Sequence, residues 1–156
     1  MADSDERAAY LAGLRMLARR ELTERQIRER LARRGYEPGH IDDAIGRLRS
    51  ERAVDDGRVA RAMAHSEVAI KRHGRLRAQR QLEAAGVAGP LARAALDDVF
   101  SSIDQDALVE AALARRLRHG RTIDDDAEFR RLYRFLIGQG FDADLVLRTL
   151  RARRIK

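Results

Sequence analysis

The chain has 156 residues, of which 37% are charged and only 4% aromatic, with no Cys, no Trp and two Pro. Its net charge is +7, carried almost wholly by Arg, because Lys occurs only at Lys71 and Lys156. This composition excludes disulfides, thiolate catalysis and Cys-ligated zinc, and no apolar run approaches the roughly 18–20 residues needed to span a bilayer.

Ala, Arg and Leu dominate while Val and Ile are sparse, which favours helix over strand. The start, Met1-Ala2-Asp3-Ser4-Asp5-Glu6, is acidic and lacks an apolar signal core, so a cytoplasmic location is expected. A first helix is predicted over about 5–19, with Leu11, Leu14, Leu17 and Ala18 on one side. Thr23 and Gln26 form a capping box that opens a second helix. Along that helix Thr23, Ile27, Leu31 and Gly35 are spaced by four, so they share a face. Gly35 is placed to take the left-handed conformation that ends a helix, with Tyr36 packing back on Leu31. Ile41 and Ile45, six and ten residues beyond the Gly, define a third helix folded back on the second. Arg25, Glu29 and Arg33 read as an intrahelical ion-pair ladder.

The pattern then recurs. Asp55-Asp56 suit a helix N-terminus, and a helix over about 56–72 carries Val59, Ala62, Met63 and Ile70. Gly74, Ala78, Leu82 and Gly86 repeat the four-residue spacing, followed by Val87, Ala92 and Leu96. A further helix over about 105–119 carries Leu108, Ala112, Leu113 and Leu117. Leu132, Leu136 and Gly140, then Phe141, Val146 and Leu150, make the third copy. The expected fold is therefore all-α: an elongated, curved array of three tandem three-helix repeats, about nine helices, with units at 1–54, 55–102 and 103–156. The middle copy has Ala78, Val87 and Ala92 where larger residues stand elsewhere, so flexibility is expected there. No apolar heptad seam is present, and a monomer is expected.

Few residues suggest catalysis. Asp124-Asp125-Asp126 offers hard oxygen ligands for a divalent cation, but no spaced loop of further ligands follows, and helix capping is the better reading. His40, His65, His73 and His119 are scattered without metal-binding spacing. No Gly-x-Ser-x-Gly or Walker-type loop is present. No catalytic residue, cofactor or metal is expected, and the protein is read as a binding protein rather than an enzyme. The Arg excess has two explanations, GC-rich coding or contact with phosphates and carboxylates, which guanidinium grips bidentately. Three clusters are candidate contacts for a polyanion or an acidic protein. Arg72, His73, Arg75, Arg77 and Arg80 straddle the junction opening the middle pair of helices. Arg130, Arg131 and Arg134 fall opposite the apolar face formed by Phe129, Leu132, Tyr133 and Leu136. Arg148, Arg151, Arg153, Arg154 and Lys156 close the chain.

Taken in order, these residues resemble the RecX family of bacterial recombinase regulators. Leu17-Ala18-Arg19-Arg20-Glu21-Leu22-Thr23 is similar to the family's L-x-R-R-E-x-S/T. Val54-Asp55-Asp56-Gly57-Arg58-Val59-Ala60 resembles I/L-D-D-x-R-F-A, and Gly74 to Val87 resembles G-x-x-x-I-x-x-x-L-x-x-x-G-I. Arg134-Phe135-Leu136 with Gly140-Phe141 matches the closing R-F-L-x-x-x-G-F. Val59, Met63 and Ala78 depart from the usual Phe, Tyr and Ile, which weakens apolar contacts in the middle unit. The resemblance covers about 10–155. It implies a non-enzymatic negative regulator that lies in the groove of the RecA–DNA filament and suppresses ATP hydrolysis, strand exchange and co-protease activity. The arginine clusters would then face RecA or DNA. The competing reading is a basic helical protein that binds DNA through phosphate contacts.

Overall fold

The computed structural model describes residues 2–154, so Lys156 of the third arginine cluster lies outside the described residues. Among these residues it forms nine α-helices and one π-helical segment, with no strand beyond an isolated bridge between Ile123 and Arg154. The helices are α1 (Ala2–Leu17), α2 (Glu24–Arg33), α3 (Pro38–Ser50), α4 (Asp56–His65), α5 (Arg75–Ala84), α6 (Gly89–Phe100), α7 (Gln105–Leu113), α8 (Asp126–Gly138) and α9 (Ala143–Ala152). The π segment, Ser66–Ile70, continues α4. Helices pack mainly within consecutive triplets. The accessible surface is 9592 Å², about a fifth above the ~7,900 Å² of a compact monomer of this mass, so the body is elongated. One apolar core lies within α1–α3, and a second runs continuously through α4–α9.

The three predicted glycine stops are all present. Gly35, Gly86 and Gly140 have φ of 88°, 102° and 94°, the left-handed region open to Gly. In each case the residue after the Gly donates its N–H five residues back, from Tyr36 to Leu31, Val87 to Leu82 and Phe141 to Leu136. The Gly itself donates three back, so each helix ends in a Schellman motif. The capping box at Thr23 is also formed in both directions. Asp55, Asp104, Asp125 and Asp142 cap α4, α7, α8 and α9.

These ends do more than stop helices. The N-terminus of α2 is seated on the C-terminus of α5: Thr23 Oγ1 donates to the Ala85 carbonyl at 2.6 Å, and Arg25 donates to that of Ala84. The N-terminus of α5 is seated in turn on the C-terminus of α8. There the Gly74 N–H donates to Gln139 O at 2.8 Å and the Leu76 N–H to Gly140 O at 3.2 Å. The middle helices of the three triplets thus follow one another head to tail, orphan donors of one meeting orphan acceptors of the next. The backbones approach so closely that a Cβ on Gly74 would lie 2.4 Å from the Gly140 carbonyl carbon. Sequence spacing placed Gly74 in an apolar row; its actual role is this contact.

Several expected faces are corrected. In α1 the buried row is Ala9, Ala12, Gly13 and Met16 with Tyr10, while Leu11 and Ala18 are exposed. Gly13 decides this. A Cβ there would come within 2.7 Å of Leu48 Cδ1, so α3 is closest to the small-residue face, while Leu14 and Leu17 of the expected face pack at the edge of the same core. Beyond α4 the wider π turn rotates the chain, so Glu67 and Val68 point inward and Ile70 outward; Ala62 is exposed too. The helix expected over 105–119 ends at Leu113, although Leu117 is still buried. The ladder on α2 is half formed: Arg25 pairs with Glu29 at 3.5 Å, whereas Arg33 reaches only the Glu29 backbone carbonyl.

Candidate partner-binding surfaces

The central cluster is built on the π segment. Glu67 is buried, accepts from Lys71 Nζ at 2.5 Å, and lies 2.6 Å from His73 Nδ1. Burial pushes the Glu67 carboxyl up, but the hydrogen bonds from Lys71 and His73 together outweigh it and hold the group below the usual carboxylate range. The His73 N–H also donates to the Glu67 carbonyl at 2.9 Å. His73, grouped with the surface cations on sequence grounds, is therefore an interior strut. Between these anchors Arg72 is forced to φ 58°, an unusual conformation for a non-Gly residue. Ile70 and Arg72 flank this strut and Leu76 stands in the first turn of α5, and all three are exposed. Ile70 is 65% and Leu76 54% exposed. Such large apolar groups beside unpaired cations have the make-up of a protein-binding patch.

The other arginines of this cluster are differently placed. Arg75 pairs with Asp97 and lies over the Phe100 ring at 5.9 Å. Arg77 donates to the Gly138 carbonyl at 3.3 Å, which stitches α5 to α8. Arg72 and Arg80 are exposed and, among the described residues, have no acidic partner. Beside Arg75 a groove of about 250 Å³, lined by residues that include Leu76, Phe100, Leu108, Phe141 and Leu145, lies where α5 meets the ends of α6, α7, α8 and α9.

On α8, Arg130, Arg131 and Arg134 are exposed opposite buried Leu132 and Leu136. Arg131 lies 3.8 Å from the buried Glu128 carboxylate, which is held more closely by Arg121 at 3.0 Å. The C-terminal cluster is mostly exposed but largely ion-paired. Arg148 pairs with Asp106 at 2.9 Å and Arg153 with Glu110 at 2.7 Å, tying α9 to α7. Arg154 pairs with Asp126 and lies over the Phe129 ring at 5.5 Å. Arg151 is exposed without an acidic partner among the described residues.

A fourth cluster exists only in three dimensions. Arg15, Arg19 and Arg20 at the end of α1 meet Arg30, Arg33 and Arg34 at the end of α2 around a cleft of about 510 Å³. The adjacent pairs Arg19-Arg20, just past α1, and Arg33-Arg34, at the end of α2, are its one linear trace. Among the described residues no helix is long and apolar enough to cross a membrane, and no group of three or more His, Asp or Glu could hold a metal ion.

Residues 9–48 match the model for the RecX first three-helix domain, and residues 55–96 that for the RecX second three-helix domain. The chain is 36% identical over 136 residues to the regulatory protein RecX of Halorhodospira halophila, covering 86% of this chain and 81% of that protein. It is 32% identical over 135 residues to the RecX of Syntrophotalea carbinolica, covering 85% and 88%. The crystal structure of RecX from Lactobacillus salivarius superposes with a TM-score of 0.78 at 20% identity, over 97% of both chains.

Proposed function

Because the chain belongs to the RecX family, we propose that it is a non-catalytic negative regulator of the RecA recombinase. It binds in the groove of the RecA–DNA filament, as a monomer in the cytoplasm, and suppresses ATP hydrolysis, strand exchange and co-protease activity. Family likeness along almost the whole chain is the observation that carries this reading. The elongated triplet array adds support, since terminal units can grip neighbouring RecA subunits and gain affinity through effective concentration.

The central patch is the part we assign to RecA. Ile70 and Leu76 supply apolar contact, and Arg72 and Arg80 supply charge beside it. Leu76 and Arg80 are four apart on α5 and share a face. The test is RecA-catalysed ATP hydrolysis on single-stranded DNA, titrated with wild-type protein and with Leu76→Asp/Arg80→Glu. Half-inhibition by the variant is expected to need at least about tenfold more protein, the loss of about 1.4 kcal/mol of binding. A folded variant that inhibits like wild type would remove this patch from the RecA contact. Failure of the wild type to inhibit at all would remove the proposed regulation.

A further inference from the structure

Among the described residues, part of the arginine surface is tied up in ion pairs and part, including Arg72, Arg80 and Arg151, is not. Arg28, Arg47, Arg49, Arg58, Arg75, Arg148, Arg153 and Arg154 each have a carboxylate partner. The cleft at the ends of α1 and α2 is distinct in gathering six arginines around one recess. None of Arg15, Arg19, Arg20, Arg30, Arg33 and Arg34 has an acidic partner among the described residues. The nearby acids are engaged elsewhere: Glu21 with Arg58 at 2.8 Å, Glu24 with Arg49 at 2.6 Å, and Glu29 with Arg25 at 3.5 Å. Two helix C-termini meet here, but each is worth only about half a negative charge. About one negative charge faces six guanidinium groups, which leaves a strongly cationic recess.

The same recess lies at an open end of the helix row. The C-terminal glycines of α5 and α8 are each covered by the N-terminus of another middle helix. The equivalent Gly35 of α2 has nothing within 4 Å. A second copy of this chain would offer α8 as the complementary N-terminus, yet the Asp125 cap there would bring a carboxylate onto backbone carbonyls. Thr23, at the matching position, donates a hydrogen bond to such a carbonyl, which Asp cannot do.

From these observations we infer that the α1–α2 cleft binds the phosphodiester backbone of a nucleic acid. Its lining decides between phosphate and an acidic protein. Apart from the six arginines it contains only Met16, itself buried. Protein interfaces are built around an apolar or aromatic centre, whereas nucleic-acid interfaces are dominated by positive charge. No aromatic ring lines the cleft to stack a base, and no neutral hydrogen-bonding side chain lines it to read a base edge or a 2′-hydroxyl. Contacts made to the phosphates carry no sequence information. The site stands on naked nucleic acid and does not rest on the RecA reading.

Fluorescence polarisation of labelled duplex DNA, titrated at several salt concentrations without RecA, tests it. Six phosphate contacts predict a slope of log K against log salt of about −5. Arg19→Gln/Arg34→Gln should flatten the slope by about 2 and weaken binding at least tenfold at low salt. Arg115→Gln/Arg118→Gln removes the same charge from the exposed α7–α8 connection and should leave the slope unchanged. RNA of the same sequence should show the same loss in the cleft variant. Equal losses in both variants would mean diffuse attraction and overturn the site. Polyglutamate that displaces DNA at equal charge concentration would reassign the cleft to an acidic protein and also overturn it. In either case inhibition of RecA by the wild type would be unaffected.

Discussion

Replacing Gly140 with Ala separates two demands that the fold makes of one residue. At φ 94° an L-residue costs about 1–2 kcal/mol. A Cβ would also lie 2.3 Å from the backbone nitrogen of Arg77 and 2.6 Å from its Cβ, so α5 must move away from the end of α8. That movement strains or breaks the Gly74–Gln139 and Leu76–Gly140 backbone hydrogen bonds, each worth about 1 kcal/mol. The expected total is about 3–4 kcal/mol, a large part of the 5–15 kcal/mol that holds a typical domain together. It corresponds to a fall in melting temperature of about 10 °C for a chain of this size. Gly35→Ala is the internal control. Its φ is 88°, but nothing lies within 4 Å of the added Cβ, so only the conformational cost applies. The stiffer unfolded chain offsets about 0.5 kcal/mol in both variants and cancels in the difference. Urea denaturation followed by far-UV circular dichroism should place Gly140→Ala about 2 kcal/mol below Gly35→Ala. Equal destabilisation of the two would refute head-to-tail seating of α5 on α8 as a source of stability.

Two further outcomes follow from the strained and buried polar positions. Because the folded Glu67 carboxyl lies below its ordinary value, its contribution is complete above the unfolded carboxylate pKa and is lost as pH falls through the folded one. Glu67→Gln, which weakens the charge-assisted hydrogen bonds from Lys71 and His73, should cost about 2 kcal/mol at neutral pH and flatten the acid side of the melting-temperature profile; parallel profiles for variant and wild type would show that the Lys71 and His73 contacts add nothing. Arg52 occupies the left-handed position of a Schellman motif at the end of α3, with φ 55°. Arg52→Gly should therefore stabilise by about 0.5 kcal/mol, the relief of backbone strain less the added freedom of the unfolded chain, and a lowered melting temperature would contradict that assignment.

The helix ends were the most legible part of the chain. The capping box at Thr23 and the three glycine stops are local devices, written within five residues, and they stand where the spacing put them. Faces were less legible where backbone geometry intervened. Of the stripe Leu11, Leu14, Leu17 and Ala18 on α1, only Leu14 and Leu17 reach the core, because the absent side chain at Gly13 lets Leu48 of α3 approach the neighbouring face. Nothing in the residues after α4 announces a π turn, so Ile70 was assigned inward and Glu67 was not assigned at all. The arginine clusters were legible as clusters but not as to use. Whether an Arg is free depends on carboxylates as distant in sequence as Asp106 from Arg148 or Glu110 from Arg153. The α1–α2 cleft joins arginines from two helix ends, and only folding brings them together.

The Gly74–Gly140 contact connects stability to the proposed RecA surface. It fixes the first turn of α5 against α8, and Leu76 belongs to that turn. On the other side of Gly74, the Glu67–His73 strut fixes Arg72 and the π segment that turns Ile70 outward. The exposed pair Ile70 and Leu76 is thus held from both sides by buried polar contacts rather than by its own packing. The two small residues Ala78 and Ala92, fully buried in the same triplet, act with this arrangement. Both belong to the apolar core that runs through α4–α9. Rigid presentation lowers the entropy lost when a partner binds. A patch so presented at the centre of the body, with a phosphate-binding cleft at one end, would let one chain contact RecA and the nucleic acid at once, each contact raising the effective concentration for the other.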